Sequence, residues 1–196
     1  MTAPHRAPRI RPATTADVPR MKELGVLGWE TTYHTFVSPA NRAMYLAGPF
    51  WSLDRLMTIV SDQACLALVA GNRPGQVAGF LTIEPVEDGG VELTRLYVDP
   101  AARGGGIGVT LVEASIVLVR LRHARTMLVN VFADNHAGRR FYERVGFTFT
   151  RLEPCAIGDQ IVGDAWYERE VSGDRYHDTI ESWAIVHARY GHNCRS

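Results

Sequence analysis

The sequence lacks several features that would assign it to a specialised class of protein. Lys and Arg together number 21, as do Asp and Glu, so the formal net charge is zero. No overall field therefore attracts nucleic acid or an anionic membrane. No apolar run is long enough to span a bilayer, and the sequence contains no internal repeat or low-complexity segment. Binding to nucleic acid and insertion into a membrane are not expected.

Cysteines and metal-ligand patterns are also scarce. The three cysteines, Cys65, Cys155 and Cys194, show no zinc-ligand spacing, and the seven His residues form no HExxH motif. No metal site is expected. Because the number of cysteines is odd and the N-terminus has no apolar signal-peptide core, we expect a reduced, cytoplasmic protein. Cys65 and Cys155 then serve as small buried side chains.

The remaining composition is that of one globular domain. The chain has 196 residues, of which 46% are hydrophobic and 21% charged, and this is enough to form a sizeable core. We predict a folded domain over residues 9–171 and a disordered lead-in over residues 1–8. We also predict a partly helical C-terminal extension over residues 172–196, with a helix near 179–188.

Apolar periodicity and turn signals predict the order β, α, α, three meandering β, α, β, α, β, β. Thr14 and Ser38 have the character of helix caps, and Ser38 is followed by Pro as at many helix starts. The predicted strands cover 9–11, 64–70, 76–84, 91–98, 126–132, 147–155 and 161–171, and the predicted helices cover 14–28, 38–46, 107–121 and 135–145. Residues 52–61 are expected to form another turn or two.

The strand over residues 91–98 has an irregular pattern. Leu93 and Leu96 are both apolar but lie three residues apart, so strict alternation fails between them. A β-bulge near Thr94 and Arg95 would restore the register.

A glycine-rich loop follows this strand and opens directly into a helix. The first N–H groups of a helix are unsatisfied and carry the positive end of the helix dipole, so such a loop can hold phosphate. Arg103 adds a positive charge. Val109-Thr110 replaces the Lys-Ser/Thr of a Walker A loop, and the GxGxxG dinucleotide spacing is absent. A merely flexible loop is the alternative.

Two segments around this loop resemble a known family, the GNAT superfamily of N-acetyltransferases. VELTRLYVDPAARGGGIGVTL, starting at Val91, is similar to its acyl-CoA motif, Arg/Gln-x-x-Gly-x-Gly/Ala, which is met by Arg103, Gly106 and Gly108. NVFADNHAGRRFYERVGF, starting at Asn130, resembles the family's second conserved segment. The resemblance covers residues 9–171. It implies an α/β fold with a mixed, mostly antiparallel sheet, helices on both faces and a splayed central strand pair.

The resemblance implies acetyl-CoA as cosubstrate. Its pantetheine arm would pair with backbone groups of Leu96, Tyr97 and Val98, and Asn135 would contact it from the next helix. The diphosphate would be bound by N–H groups of the loop, which consists of Arg103, Gly104, Gly105, Gly106, Ile107 and Gly108.

The resemblance also implies catalytic roles. Tyr142 lies seven residues from Asn135, so both occupy one helix face. In the family this tyrosine is the general acid for the CoA sulfur; a packing aromatic is the alternative. Glu92 matches a position that often carries the general base, and Glu84 is its rival, although each can equally be a solvated charge. A backbone N–H near Leu96 would polarise the carbonyl.

The acceptor amine would lie between the first helices and the last strands. Trp29, Glu30 and Tyr33 are the expected substrate-binding residues, and their aromatic and acidic character suits a cationic amine. Trp29 and Tyr33, four residues apart, can equally belong to the core.

Three further segments, SPANRAMYL, GPFWSLDRL and IGDQIVGD, resemble the bacterial spermidine/spermine N-acetyltransferases. In that subgroup, Asp159 and Asp164 would add negative charge near the acceptor. Gly104-Gly105 replaces the family's basic loop residue, and the C-terminal extension has no counterpart, so a polyamine acceptor is a hypothesis. The alternatives are a protein N-terminal or lysine acetyltransferase and a non-catalytic acyl-CoA-binding regulatory module. A homodimer through a free edge of the last strand is also considered.

Overall fold

A computed structural model describes residues 8–71, 73 and 75–171. Apart from Pro8, the predicted lead-in and the predicted C-terminal extension lie outside these residues. The helices are α1 Val18–Thr32, α2 Pro39–Ala47, α3 Leu53–Ser61, α4 Ile107–Leu121 and α5 His136–Arg144, and the strands are β1 Arg9–Pro12, β2 Leu66–Gly71, β3 Gly79–Pro85, β4 Val91–Val98, β5 Thr126–Phe132, β6 Thr148–Ile157 and β7 Gln160–Glu170.

The strands form one seven-stranded sheet in the order β1-β2-β3-β4-β5-β7-β6. Its neighbours are antiparallel except for β4 and β5, which are parallel. These two strands pair only at Val91 with Met127 and at Glu92 with Leu128, so they diverge towards their carboxyl ends. The predicted mixed sheet with a splayed central strand pair is confirmed.

Helices cover both faces of the sheet, as predicted. Helices α4 and α5 pack on one face, and α1, α2 and α3 pack on the other. Each face has its own buried cluster, because every interior strand presents apolar side chains alternately to the two sides. The α4 face buries Leu81, Leu93, Leu111, Val112 and Met127, whereas the α1 face buries Met21, Leu24, Trp51, Leu56 and Phe80.

Strand β4 contains the predicted bulge, and the extra residue is Thr94. Thr82 of β3 lies opposite Arg95, whereas the next residue, Ile83, lies opposite Leu93. The bulge allows two apolar residues three apart to face α4, because the residue between them does not count in the alternation. The Thr94 hydroxyl is held by Thr82 Oγ1 at 2.9 Å.

The bulge also turns Arg95 towards the α1 face, where its side chain is fully buried. Arg95 donates to Glu84 Oε1 at 3.2 Å and to the Phe50 carbonyl at 2.6 Å. Its guanidinium lies 3.6 Å from the centre of the Phe50 ring. This buried ion pair was not predicted, because sequence patterns place a charged strand residue at the surface.

The start of α2 follows the predicted capping chemistry, because the Ser38 hydroxyl accepts the Asn41 N–H at 3.2 Å. Ser52, which sequence analysis did not select as a cap, begins α3 in the same way and accepts the Arg55 N–H at 3.1 Å. At Thr14 the prediction is only partly right, because a 3₁₀ turn over Thr15–Asp17 precedes α1. Helix α1 then continues past the predicted end to Thr32.

One structural expectation is wrong. The last predicted strand, β7, has no free edge, because it pairs with β5 on one side and with β6 on the other. The interior position suits β7, where Ala165 and Tyr167 are fully buried, whereas residues Thr148 to Pro154 of β6 are exposed. Within the described part of the chain, β1 and β6 are therefore the outer strands.

Among the described residues, no helix combines the length and apolar character needed to cross a membrane. In the same part of the chain, no group of three or more His, Cys, Asp or Glu side chains is placed to hold a metal ion.

Candidate active site

The start of α4 has unusual backbone geometry. Gly104 and Gly106 have φ angles of +81° and +78°, in the left-handed region that favours glycine. Helices α2, α3 and α5 begin with a side-chain cap, whereas α4 begins at Gly106 without one. Among the described residues, the first N–H to bond across this turn belongs to Thr110, which donates to Gly106 O at 2.9 Å. The preceding N–H groups therefore remain available to a ligand.

This helix start opens into a cleft of about 610 Å³ between the diverging ends of β4 and β5. A methyl group added to Gly104 or Gly106 would meet no atom within 4 Å, so the loop faces open space. Of the predicted cofactor-binding residues, Gly105 alone does not line the cleft. Those that do are Leu96, Tyr97, Val98, Arg103, Gly104, Gly106, Ile107, Gly108, Asn135 and Tyr142.

The polar residues of the cleft are held in different ways. Arg103 lies at the exposed rim, with Nη2 3.4 Å from Thr31 Oγ1. Asn135 caps α5, because its Oδ1 accepts the Gly138 N–H at 2.9 Å. Arg144 also lines the cleft, from the last turn of α5, and sequence reasoning did not select it.

Tyr142 lies deep in the cleft and is only 8% exposed. Its ring packs between Phe141 and Phe147, with ring centres 5.3 and 5.7 Å away. Burial raises the pKa of Tyr142 well above its ordinary value, and Tyr33 adds to the effect. The phenol is therefore protonated at neutral pH, as a proton donor must be. Tyr142 therefore packs in the core, as the alternative interpretation expected, and it also lines the cleft.

A second cavity of about 210 Å³ adjoins the cleft. Both are lined by Tyr33, Thr94, Tyr97, Asn130 and Val131, so they lie side by side at the divergence of β4 and β5. We call the smaller space the acceptor cavity.

Aromatic rings form one wall of the acceptor cavity. Trp29 stacks on Tyr45 with ring centres 4.4 Å apart, and the edge of Tyr33 meets Trp29 at 4.7 Å. The Trp29 indole N–H donates to the Tyr97 hydroxyl at 3.0 Å. Trp29 and Tyr33 thus belong to the packed interior and also line the cavity.

Glu30 is placed elsewhere. Its Oε2 accepts from the Arg42 guanidinium at 2.9 Å, and its side chain is 46% exposed. Glu30 lines neither the cleft nor the acceptor cavity. The structure brings together two of the three predicted substrate-binding residues, Trp29 and Tyr33.

The two candidate bases have different surroundings. Glu92 lines the acceptor cavity, and its pKa is raised by burial and by the nearby carboxylates of Glu84 and Asp164. Glu84 lines neither space and is engaged by Arg95 and by Arg55. A base must reach the reacting proton and be free to accept it, so the geometry favours Glu92 over Glu84.

Asp164 of β7 is the second carboxylate in the acceptor cavity. Burial raises its pKa to about 6, although the hydrogen bond from Asn130 Nδ2 at 2.9 Å works in the opposite direction. Asp159, which was grouped with it, lies outside the cavity and accepts from Asn41 Nδ2 at 2.8 Å. Asp164 lies opposite Phe132, the last residue of β5. This position could have identified Asp164 as a cavity residue, but the sequence does not show that β7 pairs with β5.

The model of the Acetyltransferase (GNAT) family matches residues 29–147. This chain therefore belongs to the GNAT acetyltransferase family. It is 34% identical to a mycothiol acetyltransferase of Mycobacterium leprae over 149 residues, which cover 64% of this chain and 47% of that protein. It is 33% identical to the peptidyl-lysine N-acetyltransferase YjaB of Escherichia coli over 82 residues, covering 42% and 49%. The chain spans about half the length of the curated relatives it matches.

Solved structures share the fold. The PaiA N-acetyltransferase of Thermoplasma acidophilum, solved in complex with coenzyme A, superposes with a TM-score of 0.70. That match has 21% identity and covers 84% of this chain and 99% of the other. The acetyltransferase yncA of Salmonella typhimurium, solved with acetyl-CoA, gives a TM-score of 0.62 and 21% identity, covering 89% and 99%.

Proposed function

We propose that this protein transfers the acetyl group of acetyl-CoA to the primary amine of a small cationic molecule, such as a polyamine. One observation carries the proposal: the uncapped start of α4 opens into the cleft, and the acidic, aromatic acceptor cavity adjoins that cleft and shares five lining residues with it. The cleft has the size of a typical ligand pocket, roughly 300–1,000 Å³, and its glycine loop provides the N–H groups that a diphosphate requires.

The residues of the cleft fit the pantetheine arm as well. Beyond Glu92, the side of β4 that faces β5 has no strand partner in the described chain, so its backbone groups can pair with an extended ligand. Leu96, Tyr97 and Val98 line this edge, with Asn135 facing them from α5. When bound there, acetyl-CoA supplies a thioester that an amine can attack.

Glu92 and Tyr142 provide the proton transfers in this proposal. Glu92, free of any ion pair among the described residues, accepts a proton from the acceptor's ammonium group, which leaves the amine nucleophilic. Tyr142 donates its proton to the departing sulfur and regains one from the nitrogen. A backbone N–H near Leu96 polarises the carbonyl. The presence of a buried, protonated Tyr142 in the cleft supports an enzyme over a non-catalytic acyl-CoA-binding module.

The acceptor cavity favours a small amine. Its 210 Å³ lies below the usual size for a complete ligand pocket, so it suits an alkylammonium group better than a peptide backbone. Ring faces and carboxylates are the groups that attract a cation. The names of the matched relatives indicate several acceptors, mycothiol-related and peptidyl lysine among them. The polyamine hypothesis therefore rests on the cavity and on the resemblance of three sequence segments.

An acceptor screen tests the proposal. Release of the CoA thiol is measured with acetyl-CoA and a panel that includes spermidine, an amino sugar and a lysine peptide. We expect thiol release with a cationic small amine. Turnover of the lysine peptide alone would support the protein acetyltransferase alternative. Tight acetyl-CoA binding without turnover of any amine would favour the non-catalytic module.

A further inference from the structure

The acceptor cavity contains two carboxylates that enter from different strands. Glu92 comes from β4 and pairs with Leu128 of β5, whereas Asp164 comes from β7 and pairs with Phe132 of β5. The two positions are four residues apart on β5, which corresponds to about 13 Å along that strand. Because the two residues enter the cavity this far apart along β5, we expect them to serve two ammonium groups and not to share one.

Asp164 is a buried carboxylate that has no cationic partner among the described residues. It is 8% exposed, accepts one hydrogen bond from Asn130, and forms no ion pair among the described residues. The neighbouring cation, Arg151, is engaged by Glu153 at 2.6 Å. A buried carboxylate without a cation is costly, so its position is explained best by a cationic ligand.

The groups around Asp164 contribute no competing cation within the cavity. Asn130 faces it from β5, and Trp29 and Tyr45 provide aromatic surface from α1 and α2. Aromatic faces attract ammonium groups and strengthen such a site. The titratable and charged groups that influence Asp164 or are influenced by it are Tyr33 at the C-terminal cap of α1, Tyr45 of α2, Glu92 of β4, and Arg151, Glu153 and Cys155 of β6.

We propose that Asp164 is a specificity-determining residue that binds a second, non-reacting ammonium group of the acceptor, so that the enzyme prefers diamines to monoamines. This inference rests on the proposed function, in which Glu92 serves the reacting amine. The chemical class of acceptor is then a linear alkane carrying two ammonium groups, with one near Glu92 and the other at Asp164.

The test compares putrescine with n-butylamine, which has the same carbon chain and one charge fewer. For the wild-type protein, we expect kcat/KM to be roughly 10- to 100-fold higher for putrescine, the range of one charged hydrogen bond. In Asp164→Asn, which can still accept the bond from Asn130, we expect this ratio to fall to about one. Glu168→Gln is the matched control, because Glu168 is a carboxylate on the same strand but lies outside the cavity. It should retain the wild-type ratio.

A pH series adds a readout that a purely structural role would not move. Burial raises the pKa of Asp164 to about 6, so its carboxylate is charged at pH 8 and largely protonated at pH 5. In the wild type, the kcat/KM ratio of putrescine to n-butylamine should decrease as the pH is lowered from 8 to 5. In Asp164→Asn, this ratio should not change with pH. Any effect of Glu92 cancels in the ratio, since both amines need it.

The outcomes separate the inference from the function beneath it. Equal kcat/KM values for the two amines in the wild-type protein, or a preference that survives Asp164→Asn, would overturn the role of Asp164 and leave the acetyltransferase proposal standing. If no amine is acetylated, isothermal titration calorimetry in the presence of CoA measures the binding of putrescine to the wild-type protein and to Asp164→Asn. Putrescine binding that Asp164→Asn weakens supports the ammonium site, and equal or absent binding in both proteins overturns it.

Discussion

Gly106→Ala is the sharpest test of the proposed diphosphate site. The residue has a φ of +78° and lines the cleft, and no atom lies within 4 Å of an added methyl group. The left-handed conformation costs a residue with a side chain about 1–2 kcal/mol. The methyl group would also project into the space where N–H groups of the loop meet their ligand. If one charge-assisted hydrogen bond is lost, coenzyme A should bind roughly 10- to 100-fold more weakly.

The backbone cost and the binding effect are separated by a matched control. Gly89 has a φ of +74°, also has open space around it, and lies in the turn before β4, outside the cleft. Gly89→Ala should therefore lose the same stability, with a fall in Tm of about 2–8 °C for a domain of this size. Its affinity for coenzyme A should remain that of the wild type.

Isothermal titration with coenzyme A and thermal melting of the three proteins give the answer. We expect both variants to melt at similar temperatures and Gly106→Ala alone to lose affinity. Equal affinities in Gly106→Ala and Gly89→Ala would refute the assignment of the α4 start as the diphosphate site.

Three further changes test the catalytic acid and the packing. Tyr142→Phe should lower turnover by about 10²- to 10⁴-fold, the usual contribution of a general acid, with an unchanged Kd for coenzyme A; unaltered turnover would remove this residue from the mechanism. Gly25→Ala should destabilise the fold by about 1–3 kcal/mol in thermal melts, because the new methyl group would lie 2.1 Å from the Trp51 ring. This steric clash outweighs the gain in helix propensity from alanine. A higher Tm than that of the wild type would contradict the close packing of Gly25 on Trp51. The pKa of Asp17 is lowered to about 2, chiefly by its hydrogen bond from Arg11. A lowered folded-state pKa stabilises the protein above pH 4, and this contribution is lost as the pH falls towards 2. Asp17→Asn should therefore lower the free energy of unfolding by about 1–2 kcal/mol at pH 7 in denaturant titrations, a modest value because Arg11 is partly exposed and screened by solvent. The variant should also lose less stability than the wild type below pH 4. An identical dependence of stability on acid pH in the two proteins would contradict the ion pair.

Much of the fold was predictable because its signals are local. Leu93 and Leu96 required a bulge between them, and the glycine loop marked the start of α4 from its own composition. The cap residue Ser38 acts within one helical turn. Such signals need only neighbouring residues, and sequence reasoning recovers them.

The acceptor cavity was harder to predict because its residues meet only through long-range pairing. Asp164 enters it because β7 inserts between β5 and β6, an order that periodicity does not reveal. Glu30 was expected there from its place in the chain, yet Arg42 of α2 holds it at the surface. Arg95 became buried because the same bulge turned it towards Glu84 and Phe50.

The extra residue in β4 has a consequence for how this strand can change. If the bulge were lost and Thr94 joined the regular ladder, Leu93 and Arg95 would lie two positions apart and would face the same side of the sheet. Either the guanidinium would then enter the apolar layer beneath α4, or Leu93 would leave that layer. Deleting Thr94 would instead make Leu93 and Arg95 consecutive and keep both on their present faces, but it would remove a side chain that lines both the cleft and the acceptor cavity. The phase of β4 therefore depends on its irregularity as much as on its composition.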